Sequence, residues 1–257
     1  MNQNLKGKVA LIFGATSGIG QATALAYAKQ GASVVVSGRR EKEGAETAEL
    51  INKLGAPGLF IQADVSKEDE VRNVVAQTEK RFGRLDFAFN NAGIEEATGT
   101  LTADKTGDQY RKIFDVNVLG VLLNMKYEIP LMLKSGGGAI VNTASVAGMI
   151  GMGTAGIYVA SKHAVIGLTK STALEYAKQG IRVNTVSPAA IETEMYDRFI
   201  SVSGNKGQVA EYMKSLHPVG RVGTVDEVAS AVLFLNSAEA GFITGTNLAV
   251  DGGFTAQ

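Results

Sequence analysis

A single α/β domain, with a doubly wound parallel sheet and helices on both faces, is the fold class this sequence predicts, on three observations. Short apolar runs alternate with helical patterns along the chain. The first apolar run ends in a glycine-rich turn that opens directly onto a helix. The 257 residues suffice for one large unit, which at that length hides roughly 70 to 75 % of its unfolded surface.

The elements follow in order. Residues 8–13 are a continuous apolar run ending at Gly14, as in a strand buried on both faces. Gly14-Ala15-Thr16-Ser17-Gly18-Ile19-Gly20 leads into a helical pattern over 21–30. Its glycines permit a tight turn and let the backbone N–H groups of Gly14, Ser17, Gly18 and Ile19 approach a pyrophosphate at the helix N-terminus. The bland alternative is that they only pack a strand against a helix. A second strand, 33–37, ends in Gly38-Arg39-Arg40, before a solvated helix over 41–54. The third, 59–63, ends at Asp64-Val65, where the aspartate is also placed for cap-like service to the next helix. That helix, 68–82, carries Val71, Val74, Val75 and Thr78 at helical spacing. A fourth strand, 85–89, leads into Asn90-Asn91-Ala92-Gly93, and a long helix over 108–133 holds Asn117 between apolar turns, with Pro130 near its far end. Residues 138–144 form a strand ending at Ser145, and 155–179 a helix that opens with the small residues Ala155, Gly156, Ala160 and Ala164. The strand 181–186 precedes Ser187-Pro188-Ala189-Ala190-Ile191-Glu192-Thr193. Residues 194–216 mix Met195, Tyr196, Phe199, Tyr212 and Met213 with the polar stretch Ser203-Gly204-Asn205-Lys206-Gly207, which reads as a mobile lid or as an ordinary surface helix pair. The last strand is 247–250, followed by Asp251-Gly252-Gly253-Phe254.

Composition excludes several function classes. Without cysteine there is no disulfide framework or thiolate metal site. Twenty-five basic residues balance twenty-five acidic ones without long runs of one sign, which argues against nucleic acid and anionic membranes as partners. The first residues show no charged-then-apolar leader, and no apolar run approaches about 18 residues; a cytoplasmic location is the expectation. His163 and His217 lie far apart in sequence, so no metal site is expected.

The chemistry gathers between Ser145 and Lys162. Tyr158 and Lys162 stand four apart in a helical pattern, which puts phenol and ammonium on one face. A cation within about 4 to 6 Å lowers a phenol pKa by about 1 to 3 units from its usual value near 10. Such a phenol trades protons near neutral pH. Ser145, delivered by the strand end, adds a second donor to a carbonyl oxygen that becomes negative during reduction. The three form a site for interconverting an alcohol and a carbonyl.

Ser145, the Tyr-x-x-x-Lys at 158–162, Asn90-Asn91-Ala92-Gly93 and the G-x-x-x-G-x-G turn together resemble the short-chain dehydrogenases/reductases over nearly the whole chain. The resemblance implies a Rossmann-type fold and hydride exchange between a nicotinamide and a carbonyl carbon. It implies that Tyr158 gives the proton, Lys162 lowers the phenol pKa and holds the nicotinamide ribose, and Ser145 polarises the carbonyl. Asn117 becomes the fourth catalytic member, bending its helix so that a backbone carbonyl holds a relay water. Asp64 and Val65 are placed at the adenine, Asn91, Ala92 and Gly93 on the adenine-ribose side, and Pro188, Ile191 and Thr193 at the carboxamide. Gly38 occupies the position where the family uses an acid against the ribose hydroxyls, and Arg39 follows it. Guanidinium forks suit a phosphate, so NADP(H) is favoured over NAD(H); alternatively Arg39 and Arg40 simply begin the helix. Two departures from the pattern stand out: Phe13 replaces a threonine that would tie the turn to residues 90–93, and Ala189 replaces a glycine. The family often pairs the Asn117 and Tyr158 helices across a two-fold axis, which implies a homodimer or homotetramer.

Substrate candidates are Ser145, Glu95, Met152 and Met195, with Glu96, Val146, Met149 and Ala189 nearby. Mostly apolar, they point to a small-molecule ketone or alcohol with an aryl, cyclic or β-keto framework. Glu95 and Glu96 either accept hydrogen bonds from a sugar-like substrate or form a surface charge pair. A 3-oxoacyl reductase, and a cofactor-binding sensor or scaffold without chemistry, remain as alternatives.

Overall fold

The computed structural model describes residues 4–96, 99–201 and 205–257. The chain runs β1 (Val9–Phe13), α1 (Gly18–Lys29), β2 (Ser33–Gly38), α2 (Glu41–Lys53), β3 (Gly58–Gln62), α3 (Glu68–Phe82), β4 (Phe87–Asn90), α4 (Gly107–Phe114), α5 (Gly120–Lys134), β5 (Gly138–Thr143), α6 (Gly156–Tyr176), β6 (Ile181–Pro188), α7 (Glu194–Ser201), α8 (Lys206–Ser215), α9 (Val225–Asn236) and β7 (Asn247–Val250). Among the described residues, seven parallel strands form one sheet in the order β3-β2-β1-β4-β5-β6-β7. The order reverses between β1 and β4, so the loops after these two strands open a crevice at their C-terminal ends, where doubly wound sheets bind ligands.

Strand alternation builds two apolar layers. Val9, Leu11 and Phe13 of β1 face a layer with Val71, Val74 and Val75 of α3, Met125 and Met132 of α5 and Val165 of α6. Ala10 and Ile12 face the opposite layer, with Ala24 and Tyr27 of α1, Ile51 of α2 and Val228 and Val232 of α9. Both faces of the sheet are therefore covered, which is why its strands read as continuous apolar runs. α3 shows how local signals set an element: Glu68, Asp69 and Glu70 complement the dipole in its first turn, Lys80 and Arg81 in its last, and Gly83 ends it at φ 73°.

Three features depart from the sequence reading. The long helix is not uniform, because Asp115–Leu119 is a π-helical turn between α4 and α5. The whole stretch Gly107–Lys134 is long and apolar enough by length and composition to span a bilayer, against the expectation that no run approaches that length. In the fold its α5 part packs Val121, Met125 and Met132 into the core, and Lys126 and Lys134 pair with Glu68 and Glu79 of α3. α9, for which the sequence reading gave no element, covers one face of the sheet.

Beneath the sheet switch lies a buried polar chain. Asn90 Nδ2 donates to Glu128 Oε2 at 3.1 Å and to Asn142 Oδ1 at 2.9 Å, and Asn142 Nδ2 donates to Thr169 Oγ1 at 2.9 Å. Glu128 is fully buried, and burial pushes its carboxyl up to about 8, with the Asn90 bond a smaller opposing effect. The folded state keeps a proton that the unfolded chain releases above its ordinary value of 4.5. Stability therefore falls as pH rises from that value to about 8. Glu128→Gln removes this slope. Urea unfolding is expected to show the variant gaining on the wild type by a few kcal/mol, about 4 at most, between pH 5 and pH 8.5; a pH-independent difference would contradict a protonated Glu128.

Candidate active site

The glycine turn is shaped by contact. Gly14 has φ 77°, and a Cβ there would lie 2.6 Å from the Ala92 backbone; one on Gly20 would lie 2.1 Å from Gly14 O. Asn91 ties the two loops, donating from Nδ2 to Gly14 O at 2.9 Å and from its backbone N to Phe13 O at 3.1 Å. Thr143 Oγ1 in turn donates to Asn91 Oδ1 at 3.2 Å. The turn is thus fastened to residues 90–93 without a hydroxyl at position 13. Ser17 precedes α1 and gives it no side-chain cap, so the N–H groups of Gly18, Ile19 and Gly20 have no partner within the helix. An anionic ligand fits such a cradle: bare backbone between two close loops, at the positive end of a helix.

The nucleotide-side residues divide. Arg40 reaches back into the turn, donating to Thr16 Oγ1 at 3.2 Å and to Ser17 Oγ, and pairs with Glu194 of α7 at 2.9 Å. Arg39 is exposed, and its charge acts on Asp64. Burial works to raise the Asp64 carboxyl, but the Ser66 N–H and hydroxyl and the Arg39 charge together hold it below the usual range. Its Oδ1 accepts from Ser66 N at 3.0 Å, a turn inside the loop rather than a cap on α3. Val65 is buried, and a Cβ on Gly120 at the start of α5 would lie 2.8 Å from it, so its side chain serves packing. Thr193 is folded against the glycine turn, 3.4 Å from where a Gly18 Cβ would be. Its hydroxyl donates to Ile191 O at 3.1 Å and accepts from Tyr196 N at 3.2 Å, which caps α7. Ile191 is buried, and Ala189 carries no left-handed strain, since Thr154 is the non-glycine residue with positive φ among the described residues.

Ser145, Tyr158, Lys162 and Asn117 come together where β5, α6 and the π-helical turn meet. Ser145 is extended; its Oγ accepts from Ala147 N at 3.2 Å, lies 3.4 Å from Pro188 O, and acts on the Tyr158 phenol. Asn117 grips the loop after β4 with both ends of its amide, Oδ1 accepting from Ile94 N at 2.9 Å and Nδ2 donating to Ile94 O at 3.0 Å. Nδ2 also donates to Ser161 Oγ at 3.2 Å. Gly93 lies next to both groups: a Cβ there would stand 3.4 Å from Asn117 Oδ1 and 3.6 Å from Lys162 Nζ, ordinary contact distances. Lys162 is 4 % exposed; its Nζ donates to Thr143 O at 2.9 Å and sits 5.6 Å from the centre of the Tyr158 ring. Burial pushes this ammonium down to about 8.

One electrostatic expectation is reversed by the fold. Burial is the largest influence on the Tyr158 phenol and raises it; Ser145 lowers it, and the Glu95 charge raises it again. The phenol therefore sits above its ordinary value. Spacing put Lys162 on the right face, but its ammonium is spent on the Thr143 carbonyl and lies over the ring. Desolvation of the hydroxyl then wins.

The substrate side is also more specific than the sequence implied. Glu95 takes a two-point grip from Arg198 of α7, at 2.9 and 3.3 Å. Glu96 is buried, paired with Lys105, and accepts from Tyr158 N at 3.0 Å; it is neither a surface charge nor free for substrate. Met152 is 37 % exposed, and Met195 is half-buried on α7. Residues 194–216 fold into α7 and α8, while Ser203 and Gly204 lie outside the described residues. An open cleft of about 810 Å³ borders Gly18, Thr193 and Tyr196, but Ser145, Tyr158 and Lys162 do not line it. Among the described residues no cluster of His, Asp or Glu suits a metal. Thr143, Lys105, Arg198 and Glu194 were missed by sequence reasoning; each acts through a partner distant in sequence, which no local pattern marks.

Comparison with known proteins accords with this geometry. A family profile described as enoyl-(acyl carrier protein) reductase matches residues 14–255. Cyclohexanol dehydrogenase of Acinetobacter sp. (strain SE19) is 43 % identical over 257 residues, covering 100 % of this chain and 98 % of that one. The crystal structure of levodione reductase superposes with a TM-score of 0.94 at 36 % identity, over 98 % of both chains. Two further solved neighbours differ in coenzyme. NAD+-bound xylitol dehydrogenase has a TM-score of 0.93 at 32 % identity, covering 98 % of this chain and 100 % of that one. ElxO with NADP bound has 0.89 at 36 %, covering 97 % and 99 %. Parallel sheet, glycine turn and assembled Ser-Tyr-Lys-Asn group thus coincide with likeness across whole chains, and the protein belongs to the short-chain dehydrogenase/reductase family of oxidoreductases acting on alcohols and ketones.

Proposed function

We propose that this protein interconverts a ketone and a secondary alcohol with NADP(H), using Tyr158 as general acid and base. The observation that carries the reading is the convergence of Ser145, Tyr158, Lys162 and Asn117 at the C-terminal ends of β4 and β5, beside a glycine cradle that fits a dinucleotide. When bound, the nicotinamide supplies or takes up the hydride. Ser145 holds the carbonyl oxygen and Tyr158 donates the proton to it, so charge developing on oxygen meets two donors. Lys162, fixed by Thr143, keeps a positive charge at the phenol ring and holds the ribose. Asn117 braces α6 against the loop after β4 and supports a proton relay.

NADP(H) is favoured because Gly38 leaves no acid at the end of β2, while Arg39 is exposed beside it and Arg40 lies against Thr16 and Ser17. Arg39→Ala is expected to raise the Michaelis constant for NADPH by about 10-fold or more, on the scale of a lost charge-assisted bond. The constant for NADH is expected to stay within about twofold; equal changes would contradict this coenzyme assignment.

A ring ketone is the favoured substrate. Met149 and Met152, in the segment between Ser145 and Tyr158, expose apolar surface, and the Glu95 carboxylate, taken by Arg198, no longer stands ready for sugar hydroxyls. The test is NADPH absorbance decay with cyclic, aryl and β-keto substrates alongside an oxidised sugar, run beside a coenzyme-binding assay. Turnover strongest with ring ketones is the expected result, whereas binding without turnover by any substrate would favour a sensor. The same proposal includes a cytoplasmic location and a homodimer or homotetramer through α5 and α6, where Leu122 is 46 % and Leu174 82 % exposed.

A further inference from the structure

Tyr158 is the third residue of α6, a helix whose N-cap, Ala155, contributes no side-chain hydrogen bond. The first bond inside the helix is Val159 N to Ala155 O at 2.9 Å, so the Tyr158 N–H belongs to the unpartnered first turn. α4 and α9 solve this locally with capping boxes, Thr106 with Gln109 and Thr224 with Glu227. In α6 the partner comes from 62 residues away, where Glu96 Oε2 accepts from Tyr158 N at 3.0 Å.

The other Glu96 oxygen pairs with the Lys105 ammonium, and the two side chains are only 5 % and 6 % exposed. Lys105 also donates to Thr154 O at 2.9 Å. Thr154, at φ 65°, is in a left-handed conformation that a β-branched residue rarely adopts and that persists only when its surroundings hold it. Three loops thus meet on one buried ion pair: the loop after β4, the loop before α4, and the loop that delivers α6. A buried pair is poor evidence for stability, because apolar residues of similar volume often do as well. What apolar residues cannot supply is an acceptor for the Tyr158 N–H.

We propose that Glu96 is a positioning residue that sets where the Tyr158 hydroxyl stands relative to Ser145. Its side-chain oxygen caps the turn of α6 that carries the phenol, and Lys105 neutralises the charge buried there. A displacement near 1 Å at a reacting group costs up to about 10²-fold in rate, so loss of this anchor acts on turnover more than on binding. The proposal rests on the reading of Tyr158 as acid and base.

Two neutral double variants separate anchoring from simple support of the fold. Glu96→Gln with Lys105→Met removes both charges and keeps an acceptor oxygen for the Tyr158 N–H. Glu96→Met with Lys105→Met fills the same space and removes the acceptor. The first is expected to keep kcat with cyclohexanone within about 3-fold of wild type, and the second to lose about 10-fold or more. Coenzyme Kd, read by fluorescence, is expected to stay within about twofold in both, and their melting temperatures to be similar. Equal kcat in the two variants, or a kcat loss matched by lost coenzyme affinity or melting temperature, would overturn the proposal. Tyr158→Phe measured alongside distinguishes the premise: wild-type turnover there would remove the acid and base reading itself.

Discussion

Tyr158→Phe is expected to lower kcat by about 10³-fold, within the 10² to 10⁴ that a positioned acid or base contributes, while coenzyme Kd stays within about twofold. The substitution removes one oxygen and keeps the ring, so the packing of α6 and the Lys162 ammonium 5.6 Å from the ring centre remain. The Ser145 hydroxyl is left as the donor to the substrate oxygen and cannot by itself deliver a proton to the alkoxide. Steady-state kinetics with a ring ketone, beside fluorescence titration of NADPH, separate the two quantities. Residual kcat above about a tenth of wild type would contradict the assigned role.

Lys162→Met is expected to trade activity for stability. The ammonium is 4 % exposed and pushed by burial down to about 8 from 10.5, so the folded protein holds its proton less tightly than the unfolded chain does. Below pH 8 both states are protonated and the full penalty of burying the charge stands. Between about 8 and 10.5 the unfolded chain binds more protons, so wild-type stability rises with pH. Methionine removes the charge with little loss of volume. Urea unfolding at pH 7 is expected to show the variant more stable, by on the order of 3 kcal/mol at most, less what the lost bond to Thr143 O contributed. That advantage narrows by pH 10. Turnover is expected to fall by about 10²-fold or more, since the side chain proposed to hold the nicotinamide ribose beside the phenol is lost. An unchanged kcat, or a variant less stable at pH 7 than at pH 10 relative to wild type, would contradict this account of Lys162.

Much of the fold was legible because both signals involved are local. A strand covered on both faces reads as an apolar run, as at Val9–Phe13, and a covered helix reads at helical spacing, as at Val71, Val74, Val75 and Thr78. That Ser145, Tyr158, Lys162 and Asn117 would lie together was legible from the spacing of Tyr158 and Lys162, from the strand end at Ser145, and from the family resemblance at Asn117. α9 went unread although its signal was present: Thr224 and Glu227 form a capping box ahead of Val228, Val232 and Leu233. What local sequence could not carry is tertiary. The direction of the phenol pKa depends on how deeply α6 is covered, and spacing does not encode that. Glu96 reads as half of an exposed acidic pair until the fold brings Lys105 and the Tyr158 N–H to it. Arg198 and Glu194 become visible only when α7 folds across toward Glu95 and Arg40.

The central claim is that a carbonyl carbon receives hydride at this site while Tyr158 supplies the proton. Incubation with cyclohexanone and NADPH deuterated at both C4 positions tests it most directly, with the label read in the product by mass spectrometry and NMR. The account predicts one deuterium on the carbinol carbon of cyclohexanol formed by the wild type, and almost no alcohol formed by Tyr158→Phe. Alcohol without the label, or NADPH bound tightly and never oxidised by any ketone offered, would contradict it.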